Sequence, residues 1–353
     1  MCEEFSDHGA EVELWAPARL NRIKEDVFSF YGIKNNFTIK EIKSFDFLRF
    51  GESLGRFSFW LQNICFTAKL FLLKPDKNAI IYTRNPEIVW LFNLKGYKIV
   101  LESHSWPSSK SRLFKYLASK SDKLVAITHG LEELFIAAGF SGNRLLVAPD
   151  GVDLEKFDIS VDKVQARQKL NLPLDEKIIL YCGSIYLYGW KGVDIFLAAA
   201  KILPSDCLAV IVGGELPEVA KIKSEYGGGN LLLAGRRKRK EIPYYLKAAD
   251  ILVLPNKRGE KISEIYTSPL KLFEYMASGR PIVAADLPSA REILSESNCL
   301  FFRPNDAEDL SRKIGNLLSS EEMSERIARQ AYFDVKKYSW TERAKAIINF
   351  INL

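Results

Sequence analysis

The sequence predicts an α/β chain of two doubly wound, Rossmann-like units, and three observations carry that prediction. Its 353 residues are too many for one ordinary core and suit two units of roughly 150–200 residues each. Short apolar strands alternate with helix-period segments almost throughout, which is the pattern of a parallel sheet covered on both faces. A polar, irregular stretch near 150–175 breaks the alternation once and reads as a hinge.

In the first unit Val12–Trp15, Ala79–Tyr82, Lys98–Leu101, Lys123–Ile127 and Leu145–Ala148 read as strands. Helices Glu87–Asn93, Ser111–Ala118 and Gly130–Ala138 fall between them. Phe57–Leu73 is the most apolar stretch, but Gln62, Asn63 and Lys69 interrupt it. It therefore falls short of the ~18–20 apolar residues of a membrane span. It reads as a buried crossover helix, with an interfacial helix as the alternative. Met1 opens on what reads as the tail of a helix stopped by Gly9, and strand Val12–Trp15 follows at once. A doubly wound unit begins with a central strand and a phosphate-facing turn. The first unit is thus expected to lack its first strand, and the sequence to be incomplete at its N-terminus. The second unit restarts with Lys177–Cys182 and continues through Cys207–Val212, Asn230–Leu233, Ile251–Leu254, Pro281–Ala285 and Cys299–Phe302. Ser339–Ile351 reads as a closing amphipathic helix. The expected division is 1–155 for the first unit, 156–338 for the second, and 339–353 for a C-terminal helix crossing back to the first.

Composition narrows the chemistry. Five scattered cysteines and three histidines, with no CxxC pair, argue for reduced thiols in a cytoplasmic protein and against a disulfide framework or a zinc site. The net charge of +6 does not imply a nucleic-acid partner. It is unevenly spread: seven Lys/Arg lie between Lys95 and Lys123 against Glu102 and Asp122, and a second run is Arg236-Arg237-Lys238-Arg239-Lys240. Such runs are solvated faces, or they attract phosphate or an anionic lipid surface.

The most informative stretch is Ile251–Asp286. A buried strand, Ile251–Leu254, leads into a long polar loop and then Ser268-Pro269. Ser is a favoured N-cap, and Pro suits the first helical position. The helix runs through Leu272, Phe273 and Met276 to a stop at Gly279, and a second strand follows. Free N–H groups and the positive dipole end of the helix then meet at the carboxyl edge of the sheet, where a diphosphate binds. Glu274, two turns in, is either a surface partner of Lys271 or a carboxylate accepting hydrogen bonds from two ribose hydroxyls.

Ser268-Pro269-Leu270-Lys271-Leu272-Phe273-Glu274-Tyr275-Met276-Ala277-Ser278-Gly279 resembles the signature of family 4 retaining glycosyltransferases with the GT-B fold, two Rossmann-like domains facing across a cleft. Tyr82-Thr83-Arg84, Glu102-Ser103-His104, Ala126-Ile127-Thr128, Pro149-Asp150-Gly151-Val152-Asp153, Trp190-Lys191-Gly192-Val193-Asp194 and Ala249-Asp250-Ile251 follow that family's order. The resemblance implies a donor site in which Glu274 binds the ribose and the backbone of Ser268, Pro269, Leu270 and Lys271 surrounds the diphosphate, with Gly183, Ser184 and Arg237 completing it. It implies that Lys191 neutralises the leaving phosphate, that His104 lines the cleft near the transferred sugar, and that Arg84 contacts acceptor or donor phosphate.

The implied activity moves a sugar from a nucleotide-diphosphate sugar to a glycan or lipid-linked acceptor, in cell-surface polysaccharide or glycoconjugate synthesis, with no metal and no other cofactor. The implied location is the cytoplasm, peripheral on the inner face of the membrane. Two departures stand out. Tyr266 occupies the position, eight residues before Glu274, where the family often has Glu, with Glu264 nearby; and Ser184 stands where it often has Arg. Alternatives are an epimerase of nucleotide sugars on the same fold, or an inactive nucleotide-sugar-binding remnant.

Overall fold

The computed structural model describes residues 1–19, 25–50, 55–107, 109, 111–185, 189–226 and 229–352; Lys110 of the basic stretch lies outside them. The chain forms two compact units. One comprises Met1–Ala126, Leu134–Ala148 and Thr341–Leu353, and the other Ile127–Glu133 and Pro149–Trp340. The units part at Ala148/Pro149 and Trp340/Thr341, a few residues from the divisions at 155 and 338 read from the sequence.

In the first unit β1 (Glu13–Pro17) and β2 (Thr38–Ile42) pair in parallel as a separate two-stranded sheet. β3 (Ile80–Thr83), β4 (Lys98–Ser103), β5 (Lys123–Ala126) and β6 (Leu145–Val147) form a four-stranded parallel sheet in chain order. Successive strand side chains point to opposite faces, and this sheet buries both. Ile99, Leu101, Leu124 and Leu145 pack into one core with the helix Pro86–Leu94. Val100 and Val125 pack into another with Ile347 of the helix Trp340–Asn352 and Phe5 of the helix Cys2–Asp7. The two chain ends thus cover one face together.

The second unit holds β7 (Lys177–Cys182), β8 (Cys207–Val212), β9 (Leu231–Gly235), β10 (Ile251–Leu254), β11 (Ile282–Ala285) and β12 (Leu300–Phe302). They form one parallel sheet in the order β12-β11-β10-β7-β8-β9. Every residue of β8, β10 and β11 is buried, as expected of strands covered on both sides. The order reverses between β7 and β10. That is the switch point at which open α/β sheets bind ligands. Among the described residues no helix is long and apolar enough to cross a membrane.

Candidate functional site

A cavity of about 420 Å³ opens where the loops after β7, β8 and β10 converge. Close backbone approach shapes it. Gly183 N–H donates to the carbonyl of Val212 (2.9 Å) and Gly213 N–H to that of Gly235 (2.9 Å). A Cβ on Gly213, at φ +135°, would sit 1.9 Å from the Gly183 oxygen, so a side chain there would collide with backbone. Gly192 caps the helix Val193–Ala200 at φ +65°, and a Cβ would fall 1.7 Å from the carbonyl oxygen of Pro255. The loop carrying Lys191 is thereby pressed against the loop leaving β10.

Lys191, Lys271, Arg236, Arg237 and Arg239 all line this cavity, with Glu274 as its carboxylate. Lys191 Nζ donates to Ser184 Oγ. The carbonyl of Ser184 accepts from Tyr181 Oη (3.0 Å), which in turn receives Lys271 Nζ (3.0 Å). Tyr275 Oη accepts from Cys182 N–H (2.7 Å) and donates to the Cys182 carbonyl (3.2 Å), tying the end of β7 to the helix Leu270–Ala277. Arg236 and Arg239 are ion-paired, to Glu215 and Glu274, whereas Lys191 and Lys271 face each other's charge. Burial, then the charge of Lys191, pushes Lys271 down to about 7. Burial likewise depresses Lys191, with Glu218 opposing. Glu274 is pushed up to about 7 by burial, against the pull of Arg239 and Lys271. An anion entering here gains several donors whose charges are desolvated and mutually repelling.

The helix starts at Leu270 with Pro269 as its N-cap, one position later than the sequence implied. Ser268 is not the cap: its buried hydroxyl accepts from Asp150 N–H (2.9 Å), and its side chain is turned away from the cavity. The amides of Leu270 and Lys271 remain in the first turn, where N–H groups lack a carbonyl one turn earlier. Glu274 does not pair with Lys271; its partner is Arg239, at 3.4 Å. Arg239, Thr267 and Trp190 line the cavity without having been singled out in the sequence. Arg239 lies in the basic run already noted, which was the available signal. Tyr266 is buried in the turn Ile262–Tyr266. Glu264 accepts from Gly259 N–H (2.9 Å) and does not line the cavity. Arg236 and Arg237 line the same cavity as Ser184, although Arg236 is also paired with Glu215 at 2.7 Å. Asp286 is ion-paired to Arg291 at 2.6 Å.

His104 and Arg84 belong to the first unit and converge on one residue that sequence reading passed over. Glu102, fully buried at the end of β4, receives His104 Nε2 (2.6 Å) and Arg84 Nη2 (2.7 Å) on one oxygen. Arg343 Nη2 (3.0 Å) and Tyr82 Oη reach the other. Burial raises its carboxyl, but these partners outweigh burial and hold it far below the usual range. The signal was a lone acid inside the apolar run Lys98–Ser103.

Residues 162–333 match the family model described as glycosyl transferases group 1. Over 247 residues, 66% of this chain, the sequence is 27% identical to D-inositol 3-phosphate glycosyltransferase of Xylanimonas cellulosilytica. Over 64% of the chain it is 28% identical to N,N'-diacetylbacillosaminyl-diphospho-undecaprenol alpha-1,3-N-acetylgalactosaminyltransferase of Campylobacter jejuni. The chain spans 57% and 59% of the length of these two relatives. The crystal structure of Anabaena HepE in complex with UDP-glucose superposes with a TM-score of 0.72 at 17% identity, covering 97% of this chain and 100% of that one. The fold is therefore GT-B, and residues 162–333 of this chain are similar to the glycosyl transferases group 1 family.

Proposed function

We propose that the protein is a retaining glycosyltransferase that moves a sugar from a nucleotide-diphosphate sugar to a glycan or lipid-linked acceptor. The observation that carries this reading is the second-unit cavity, in which five cations and one raised carboxylate sit at the sheet's switch point beside a helix N-terminus. Its charge suits a diphosphate, and Glu274 suits the adjoining ribose. In this reading the bond from the sugar's anomeric carbon to the diphosphate breaks, and its electron pair leaves on the phosphate. The acceptor oxygen attacks on the same face and passes its proton to a departing phosphate oxygen. Lys191 and the arginines stabilise the developing charge, so no metal is required. Within the first unit, Glu102 fixes His104.

The named transferases among the relatives favour transfer over epimerisation, and the undecaprenol-linked acceptor in the Campylobacter relative's name supports a lipid-linked acceptor. With it goes a cytoplasmic location and peripheral contact with an anionic membrane face, where the Lys95–Lys123 stretch offers positive charge. Incubation with UDP-, GDP- and ADP-sugars tests the reaction. Acceptor-dependent release of nucleoside diphosphate, undiminished by EDTA, is expected. Epimer formation without acceptor, or tight binding with no turnover under any acceptor, would overturn it.

A further inference from the structure

The helix Arg56–Leu72 is turned inside out. Its polar Ser58 and Gln62 are buried, each 2% exposed, while Phe57, Phe59, Trp60, Ile64, Phe71 and Leu72 are 54–71% exposed. Gln62 is satisfied inward, accepting from Phe47 N–H (2.9 Å) and donating to Ser44 Oγ (3.3 Å). Among the described residues of this helix, Leu70 and Phe66 reach the core of the first unit. The turn Phe47–Phe50 packs against this helix and adds exposed Phe45 and Phe50. A soluble surface helix puts its apolar stripe inward; this one fixes its polar groups there, and a large apolar face is left to be covered by something.

We propose that this face inserts into the headgroup region of an anionic bilayer, deepening the membrane contact named above by placing it on Arg56–Leu72 rather than on Lys95–Lys123 alone. The charges select this occupant. From 53 to 75 the sequence has no Asp or Glu but has Arg56, Lys69 and Lys74. Arg49 lies over the Phe45 and Phe50 rings at 5.1 and 4.5 Å, and Lys95 over Phe71 at 5.3 Å. Cations placed among aromatic rings suit the interface between acyl chains and anionic headgroups, whereas the centre of a protein–protein interface is depleted of Lys. The 17 residues are about 25 Å long, so the helix lies in the interface plane.

The test is cosedimentation of the full chain with vesicles of phosphatidylcholine alone and of phosphatidylcholine with phosphatidylglycerol, no sugar donor being needed. The wild type should bind the anionic vesicles preferentially. The triple variant Phe59→Ser, Trp60→Ser, Phe71→Ser should melt normally yet bind at least about tenfold more weakly. Leu216→Ser, a still more exposed apolar site in the other unit, should bind like wild type. Undiminished binding by the triple variant overturns the proposal, and so does loss of binding only on reversing the Lys95–Lys123 charges. A wild-type dimer that the triple variant dissolves, with no vesicle binding by either, would assign the face to a second copy of the chain instead. None of these outcomes depends on whether sugar transfer occurs.

Discussion

Replacing Glu274 by Gln should stabilise the protein while weakening donor binding. Burial raises the Glu274 carboxyl from 4.5 to about 7 in the folded state. A folded-state value above the unfolded one means that ionisation costs stability once the pH exceeds both. Two and a half units correspond to about 3 kcal/mol. The Arg239 contact at 3.4 Å already opposes this cost and is included in the raised value. Gln removes the charge, so the variant should gain up to about 3 kcal/mol near pH 8, a rise of several degrees in melting temperature. The gain should fade below about pH 4.5, where the wild-type carboxyl is protonated in both states. Hydrogen bonds to a charged acceptor contribute about 1.5–3 kcal/mol each, so losing the charge beneath two ribose hydroxyls should weaken nucleoside diphosphate binding about 100-fold. Melting curves at the two pH values and calorimetric titration at the higher one measure both effects. A lower melting temperature near pH 8 together with unchanged affinity would make Glu274 a structural partner of Arg239 and refute the argument.

Lys191→Ala should leave the melting temperature within a degree or two and lower kcat about 100- to 1000-fold, because the lost interaction is strongest with the leaving diphosphate; steady-state kinetics with near-normal turnover would remove Lys191 from the reaction. Affinity of the wild type for a nucleoside diphosphate should fall as pH rises above about 7, because Lys271 is depressed to about 7 in the empty site and only its protonated form attracts the anion; a flat titration series would contradict this. Glu102→Gln should destabilise the first unit by about 3–5 kcal/mol by removing the carboxylate charge that faces the buried Arg343 guanidinium. The wild-type contribution of Glu102, whose folded-state carboxyl is depressed, should be present above pH 4.5 and disappear as pH falls through the folded value, which acid melting curves would show. Gly192→Ala should cost about 2 kcal/mol or more, since its left-handed backbone and the Pro255 carbonyl both oppose a Cβ; an unchanged melting temperature would count against that packing.

The alternation of strands and the signature helix were legible because both are local patterns in the chain. Strands β3 to β12 lie within a residue or two of where apolar runs placed them. β2 was missed: Thr38–Ile42 is short, half polar and mostly exposed, so its alternation is weak. Ser268 was misread for a different reason. N-cap preference is local, but its hydroxyl is taken by Asp150, 118 residues away, and no windowed reading sees such a partner. Glu102 is the same lesson in charge: its four partners come from β3, the loops after β3 and β4, and the C-terminal helix. The inverted helix was hidden because its composition reads as core. Only the burial of Ser58 and Gln62 shows which face is inside.

The second-unit cavity should hold the donor's diphosphate. Crystals of the protein grown with the tightest-binding of UDP, GDP and ADP test it most directly. Phosphate density is expected within hydrogen-bonding distance of Lys191, Lys271 and the Leu270 and Lys271 amides, with the ribose hydroxyls on Glu274. A nucleotide bound elsewhere, with this cavity filled only by solvent, would contradict it.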